Sequence, residues 1–344
     1  MDRPGEACRT IRARHLVWLV LLTAFIPGRS AADENLSRCA AMPDEKERLA
    51  CYDRLARSDS PEGEARFPYL NRSWKLGPSD AGVRRLADIL TYRPNYIIAR
   101  WTSRPNFEPR SPTTGRGEFE DLNRDEMKVQ ASFKTELISR QAFDESHLTS
   151  ALGVFGVDSV RLWFAYTQVM GWQIFNHGQS RPIRETDYEP EAILTLGTGN
   201  SGNGFKLLNL GFSHQSNGLD PSEHRGWTRA YAQGGWDWNR LSILGRVWRV
   251  LDASDDDNPN IRRFMGNGDL IARYESDGGY VTSTLVRHSF STGRGFFQLD
   301  WATPIARALG GLKFHAQFTT GFGETLIDYN HRQWTAGIGV SFGD

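Results

Sequence analysis

Gln333-Trp-Thr-Ala-Gly-Ile-Gly-Val-Ser-Phe342 alternates without a break: Trp334, Ala336, Ile338, Val340 and Phe342 against Gln333, Thr335, Gly337, Gly339 and Ser341. A period of two puts the first set on one face of a strand and the second on the other. Upstream, Phe314, Ala316, Phe318 and Phe322 alternate with His315, Gln317, Thr319 and Gly321. Phe297, Leu299 and Trp301 alternate with Gln298, Asp300 and Ala302. Such dyads suit a soluble sandwich with a wet outer face or a membrane barrel. Two features favour the barrel: aromatics gather toward the ends of the apolar faces, as girdles do, and the chain closes on an amphipathic strand. From Arg93 onward, about 250 residues at roughly 20 per strand and turn give on the order of 12 strands. The expected fold is all-β, a transmembrane antiparallel β-barrel over 93–344 preceded by a short helical periplasmic segment.

The first residues set the compartment. Arg9, Arg12, Arg14 and His15 precede the apolar run Leu16–Ile26, and Ser30-Ala31-Ala32 supplies a small-residue cleavage site. This reads as a signal peptide over 1–32, too short to span a bilayer comfortably, with the mature chain starting at Asp33. No later stretch approaches the roughly 18 apolar residues of a transmembrane helix, so insertion must be by strands. The 41 basic and 41 acidic side chains cancel, which leaves no argument for nucleic acid or another polyanion. Cys8 leaves with the signal peptide. Cys39 and Cys51 then form an even pair in an oxidising compartment, which reads as a disulfide. Two cysteines alone are half a metal site. Between them, Pro43 followed by Asp44, Glu45 and Glu47 starts a short helix. Residues 33–92 are expected to form this periplasmic appendage and, from Arg57, an irregular linker or plug.

The chemistry-bearing stretch is Gly211-Phe-Ser-His-Gln-Ser-Asn-Gly218. His214 stands two residues before Ser216, hence on the same strand face, at the end of the apolar series Leu208, Leu210, Phe212. A hairpin with arms 208–216 and 227–233 would put Phe212 opposite Ala230, Leu210 opposite Ala232 and His214 opposite Thr228. Base, nucleophile and orienting group would then meet on the lipid face at one rim. A surface His beside a Ser is the plain reading, but it leaves unexplained why this face turns from aliphatic to polar there. A second anomaly is Gln168, the one polar member of the face Val160, Leu162, Phe164, Tyr166, Met170 and Trp172. A carboxamide among acyl chains is costly unless paired. Gln168 is either wet at the interface or paired with its own copy across a two-fold axis.

His-Gln-Ser-Asn-Gly, with Asp220-Pro221, Trp227 and Arg229 downstream, resembles the signature of the outer membrane phospholipase A family. Ser180-Arg-Pro-Ile-Arg-Glu-Thr-Asp-Tyr-Glu-Pro190, Asp256-Asp-Asn-Pro-Asn-Ile261 with Phe264-Met-Gly266, and Gly323-Glu-Thr-Leu-Ile-Asp-Tyr-Asn330 extend the resemblance from about Asn95 to the end. The resemblance implies a twelve-stranded barrel in the bacterial outer membrane, with its active site at the outer leaflet. It would hydrolyse sn-1 and/or sn-2 acyl esters of phospholipids and lysophospholipids, a phospholipase A1/A2 activity, as a calcium-dependent homodimer. By position Ser216 matches the nucleophile, His214 the base, the Gly218 amide the oxyanion donor and Gln168 the dimer-interface glutamine. Ser180 matches a calcium ligand given by the partner subunit's carbonyl, Leu219 a carbonyl ligand beside the nucleophile, and Asp257 an additional calcium site that Asp220 would share. Two positions depart. The family's third catalytic member is an asparagine, here Thr228. A serine side-chain ligand of calcium is replaced by His224, a poor ligand for a hard cation, unless a loop shift brings Ser222 there. The competing class is a non-enzymatic or weakly active structural or pore barrel on the same scaffold.

Overall fold

The computed structural model describes residues 39–40, 42–58, 68–77, 89–119, 121–178, 183–251, 258–305 and 311–343. The expected signal peptide over 1–32 lies outside them, as do Ser180 and Asp257. The chain forms two compact units, 1–66 and 67–344. In the first, helix Glu45–Ser58 begins where the Asp44 carboxylate accepts the backbone N–H groups of Lys46 and Glu47, at 2.9 and 3.0 Å. Cys39 and Cys51 are joined by a disulfide, their Cα atoms 5.5 Å apart.

The second unit carries the strands: β1 Ile89–Thr91, β2 Asn95–Thr102, β3 Arg110–Ser111, β4 Gly115–Arg116, β5 Asp125–Ile138, β6 Ser159–Trp172, β7 Ile183–Gly197 and β8 Gly204–Ser216, then β9 Gly226–Trp238, β10 Leu241–Val250, β11 Gly268–Glu275, β12 Val281–Ser289, β13 Arg294–Pro304, β14 Lys313–Phe322 and β15 Arg332–Phe342. Twelve of them, β2 and β5 to β15, close into one antiparallel barrel: each pairs with its neighbour, β15 returns to β2, and β2 and β6 flank β5. Closure removes every sheet edge, which a lipid-exposed sheet requires. β1 and β2 lie in line along the same edge of β5. The break between them falls at Tyr92–Pro94, where Pro94 has no N–H to give the ladder.

The barrel is inside out relative to a soluble sandwich. Trp334, Ile338 and Phe342 of the closing strand are exposed, whereas Gln333, Thr335 and Ser341 are buried. Elsewhere Leu210, Phe212, Val247, Leu270, Val286 and Phe318 point outward, while Lys128, Lys134, Arg161, Glu191 and Asp237 are buried. Apolar side chains outside and ions inside make a surface that lipid, not water, must cover. No described helix is long and apolar enough to cross a membrane.

Ion pairs fill the interior. Arg100 reaches both Glu126 and Glu324, Lys128 reaches Glu324 at 2.9 Å, and Arg184 joins Glu126 at 2.9 Å to Asp328 at 3.1 Å. Arg93 and Arg229 share Glu189, and Arg246 holds Asp269 at 2.6 Å. An interior cavity of about 180 Å³ lies among these groups. Gly211 faces Tyr231 across β8 and β9, and a Cβ there would come within 2.0 Å of the ring. The glycine thus lets Tyr231 lie flat and donate its hydroxyl to Glu191 at 2.8 Å.

Within the segment 33–92 read from the sequence, helix Tyr69–Ser73 and strand β1 belong to the unit 67–344. Helix Tyr69–Ser73 and Trp74 pack among Trp163, Ala165 and Leu207, and the Leu70 N–H is taken by Asp237 at 3.2 Å. The Lys134 ammonium sits 3.5 Å from the centre of the Trp74 ring. These contacts line the barrel end opposite the chemistry-bearing loop.

Candidate active site

Strand β8 carries the stretch that the sequence singles out. Its outward residues Leu208, Leu210, Phe212, His214 and Ser216 run toward the rim, and Asn209 and Ser213 between them are buried. Across the β8–β9 ladder Leu210 lies opposite Ala232, Phe212 opposite Ala230, His214 opposite Thr228 and Ser216 opposite Gly226. This is the register drawn from the dyad. His214 Nδ1 and Thr228 Oγ1 share a hydrogen bond of 3.0 Å, with Thr228 largely buried. The threonine is the shorter group, yet directly opposed residues bring it within reach.

Asn217 folds the loop after Ser216. Its N–H donates to the Arg225 carbonyl at 3.0 Å, its side-chain oxygen accepts the Arg225 N–H at 2.8 Å, and its Nδ2 donates to the Glu223 carbonyl at 2.9 Å. Gly218 follows with φ +61°, a conformation open to glycine but strained for other residues. That turn aims the Gly218 N–H back at Ser216 Oγ, 3.3 Å away. The Ser216 hydroxyl also meets His224 Nε2 at 3.2 Å, whereas no hydrogen bond joins it to His214 among the described residues. Nucleophile-to-base contacts in ligand-free enzymes are often long and tighten with substrate.

Several supporting groups escaped the sequence. Tyr188 of β7 lies opposite Ser216 on one side, as Gly226 does on the other, and Gln168 lies opposite Tyr188 in turn. A polar row therefore runs along the outer face from Gln168 to the nucleophile. Tyr166 donates its hydroxyl to Gln168 Oε1 at 3.1 Å. Asn258 accepts the Gly226 N–H at 2.9 Å and so braces the base of the catalytic loop. Arg225, fully buried, donates to Thr114 at 3.0 Å and to the His224 carbonyl at 2.6 Å, tying in the loop that contains β3 and β4. The Gly-Glu-Thr-Leu-Ile-Asp-Tyr-Asn motif folds inward, with Leu326, Ile327 and Tyr329 fully buried. The Leu326 N–H donates to Asp187 at 2.9 Å and the Ile327 N–H to Glu185 at 3.2 Å. These motifs read as sequence signatures; their physical jobs needed the fold.

The implied calcium ligands divide. Among the described residues the Leu219 carbonyl accepts no hydrogen bond, so it fits a hard cation that takes oxygen. His224 offers nitrogen and is turned onto Ser216. The Ser222 carbonyl is taken by Thr114 at 3.4 Å and Arg225 at 3.3 Å. No group of three or more His, Cys, Asp or Glu side chains gathers as a metal site among the described residues.

Known proteins align with this chain. The family model described as Phospholipase A1 matches residues 70–342. A putative phospholipase A1 of Neisseria meningitidis serogroup B is 34% identical over 382 residues, covering 94% of this chain and 95% of its own length. Phospholipase A1 of Escherichia coli K12 is 32% identical over 255 residues, covering 74% of this chain and 81% of its own. Among solved structures, outer membrane phospholipase A from Escherichia coli superposes with a TM-score of 0.62 at 28% identity, over 75% of this chain and 99% of that one. A Salmonella typhi outer membrane phospholipase dimer with bound calcium gives a TM-score of 0.63 at 27% identity, over 76% and 95%.

Proposed function

The chain belongs to the phospholipase A1 family, and from that premise we propose that Ser216 is the nucleophile of a calcium-dependent, homodimeric enzyme cleaving phospholipid acyl esters at the outer leaflet. That it is an ester-hydrolysing phospholipase in a bacterial outer-membrane barrel follows from the family and the fold. The mechanism, the ion and the dimer are our reading.

One observation carries it: His214 and Ser216 stand at the rim end of an outward apolar stripe, with the Gly218 amide on Ser216 Oγ at 3.3 Å. A substrate reaching them comes sideways from the bilayer, its acyl chains along Leu208, Leu210 and Phe212. Ser216 Oγ attacks the ester carbonyl carbon. His214, held by Thr228 through Nδ1, takes the hydroxyl proton on Nε2 and returns it to the departing alkoxide. The Gly218 N–H is positioned to swing from Oγ to the developing oxyanion. A water then attacks the acyl-Ser216 ester, giving up its proton to His214 and restoring the serine. Calcium, held by the Leu219 carbonyl and the partner subunit's Ser180, with Asp257 at an additional site, would supply positive charge beside that oxyanion. Gln168 supports the dimer, because its polar row leads to Ser216 on the outer face. The ion pairs that cross the lumen speak against a pore.

Refolded protein in detergent micelles with calcium is expected to release fatty acid from phosphatidylcholine. Chelation of calcium stops it, and Ser216→Ala abolishes it. Wild-type protein that releases no fatty acid over a calcium titration would overturn the reading.

A further inference from the structure

The nucleophile has an imidazole on each side. His214 stands before Ser216 on β8 and is bound to Thr228 through Nδ1 at 3.0 Å. His224 approaches from the loop, its Nε2 3.2 Å from Ser216 Oγ. The loop holds this second ring in place. The His224 N–H donates to the Asp220 carbonyl at 2.7 Å, and the His224 carbonyl accepts from buried Arg225 at 2.6 Å. Opposite Ser216 in the ladder is Gly226, where a Cβ would lie 3.6 Å from the His224 ring and 3.7 Å from Ser216 Cβ.

Donor and acceptor accounting leaves the hydroxyl hydrogen free for that bond. A serine hydroxyl has one hydrogen to give and two lone pairs. The Gly218 N–H can only donate, so it uses a lone pair of Oγ. With the ring hydrogen on Nδ1, His224 Nε2 is a partner of Oγ that can accept its hydrogen.

We propose that His224 is a second proton acceptor for the Ser216 hydroxyl, a catalytic residue standing where the resemblance would put a metal ligand. It rests on the reading of Ser216 as a hydrolase nucleophile. As Oγ bonds the ester carbonyl carbon, its proton passes to His224 Nε2. When the tetrahedral intermediate collapses and the ester C–O bond breaks, that proton goes to the departing alkoxide oxygen. The two rings serve one hydroxyl, so losing either leaves the other.

The test uses the full mature chain in detergent with calcium, and two readouts. One is kcat and KM for phosphatidylcholine. The other is the rate at which an alkylsulfonyl fluoride modifies Ser216, followed by intact mass. His214→Ala is expected to keep turnover roughly 10–100-fold above the Ser216→Ala floor, and His214→Ala/His224→Ala to fall to that floor. His224→Ala lowers kcat and slows Ser216 labelling with KM unchanged, and His224→Gln, which can hold a hydroxyl but cannot take its proton, does not restore either. Wild-type kcat and labelling in His224→Ala or His224→Gln overturn the proposal, and so does a His224→Ser variant that gains turnover together with calcium affinity measured by calorimetry. If the wild type neither turns over nor labels at Ser216, the hydrolase reading falls first. An active wild type with a silent Ser216→Ala and an unaffected His224→Ala removes this inference alone.

Discussion

Thr228 Oγ1 lies 3.0 Å from His214 Nδ1, across a pair of directly opposed residues of β8 and β9. Threonine therefore fills the orienting place without a bridging water, because the ladder sets the separation. Removing the hydroxyl takes away one hydrogen bond, worth about 1 kcal/mol. Thr228→Ala is expected to lower kcat roughly five- to tenfold. Thr228→Asn keeps or raises it. Initial rates on phosphatidylcholine decide the matter. An alanine variant with wild-type kcat would show that Thr228 orients nothing.

How the sequence disclosed this much is a matter of period and distance. The dyad in Leu208, Leu210, Phe212, His214, Ser216 fixes one strand face, and symmetric pairing of the hairpin arms then fixes every opposed residue, Thr228 included. The barrel was legible for the same reason, since Trp334, Ile338 and Phe342 sit on one side of a strand whatever covers them. What stayed hidden depends on contacts between distant segments. Nothing near Tyr69–Trp74 announces that it packs inside the barrel, because its partners Trp163 and Leu207 are some hundred residues away. His224 could be placed by alignment but not by direction, since a side chain in a nine-residue loop has no period to fix its face. Asn258 under Gly226 is hidden likewise.

Gly218 has φ +61°, and its amide points at Ser216 Oγ. An added Cβ would meet only Tyr188, at an ordinary 3.5 Å, so the cost is in the backbone. A left-handed alanine costs roughly 1–2 kcal/mol, and the loop can relieve it by turning the amide away. Gly218→Ala is expected to leave the barrel folded on unheated gels while lowering kcat at least tenfold, the loss of one oxyanion donor being worth about 3 kcal/mol. A variant with full turnover would remove the Gly218 amide from the mechanism.

Gln168 faces outward, with its amide oxygen bound by Tyr166 at 3.1 Å. Its NH2 group has no protein partner among the described residues, and a second copy across a two-fold axis would supply one. Polar contacts between membrane segments contribute about 0.6–2 kcal/mol. Gln168→Leu is expected to weaken dimerisation by that amount in sedimentation equilibrium, and to lower activity most at low protein-to-detergent ratio. An unchanged monomer–dimer equilibrium would assign Gln168 to the wet interface instead.

Glu324 lies in the loop between β14 and β15, within ion-pair distance of Arg100 at 2.6 Å and Lys128 at 2.9 Å. Burial alone would raise its carboxyl, but the two cations prevail and hold it down from 4.5 to about 2. A depressed carboxylate stabilises the fold fully above its unfolded value, near pH 4.5. That stabilisation is lost as pH falls toward about 2. The shift corresponds to about 3 kcal/mol when the group is fully ionised. Urea unfolding followed by tryptophan emission should therefore show the wild type losing stability below pH 4.5. Glu324→Gln should start lower and show a shallower fall over the same interval. A variant whose pH profile parallels the wild type would mean that other carboxylates of the interior, Glu126 among them, carry the acid sensitivity.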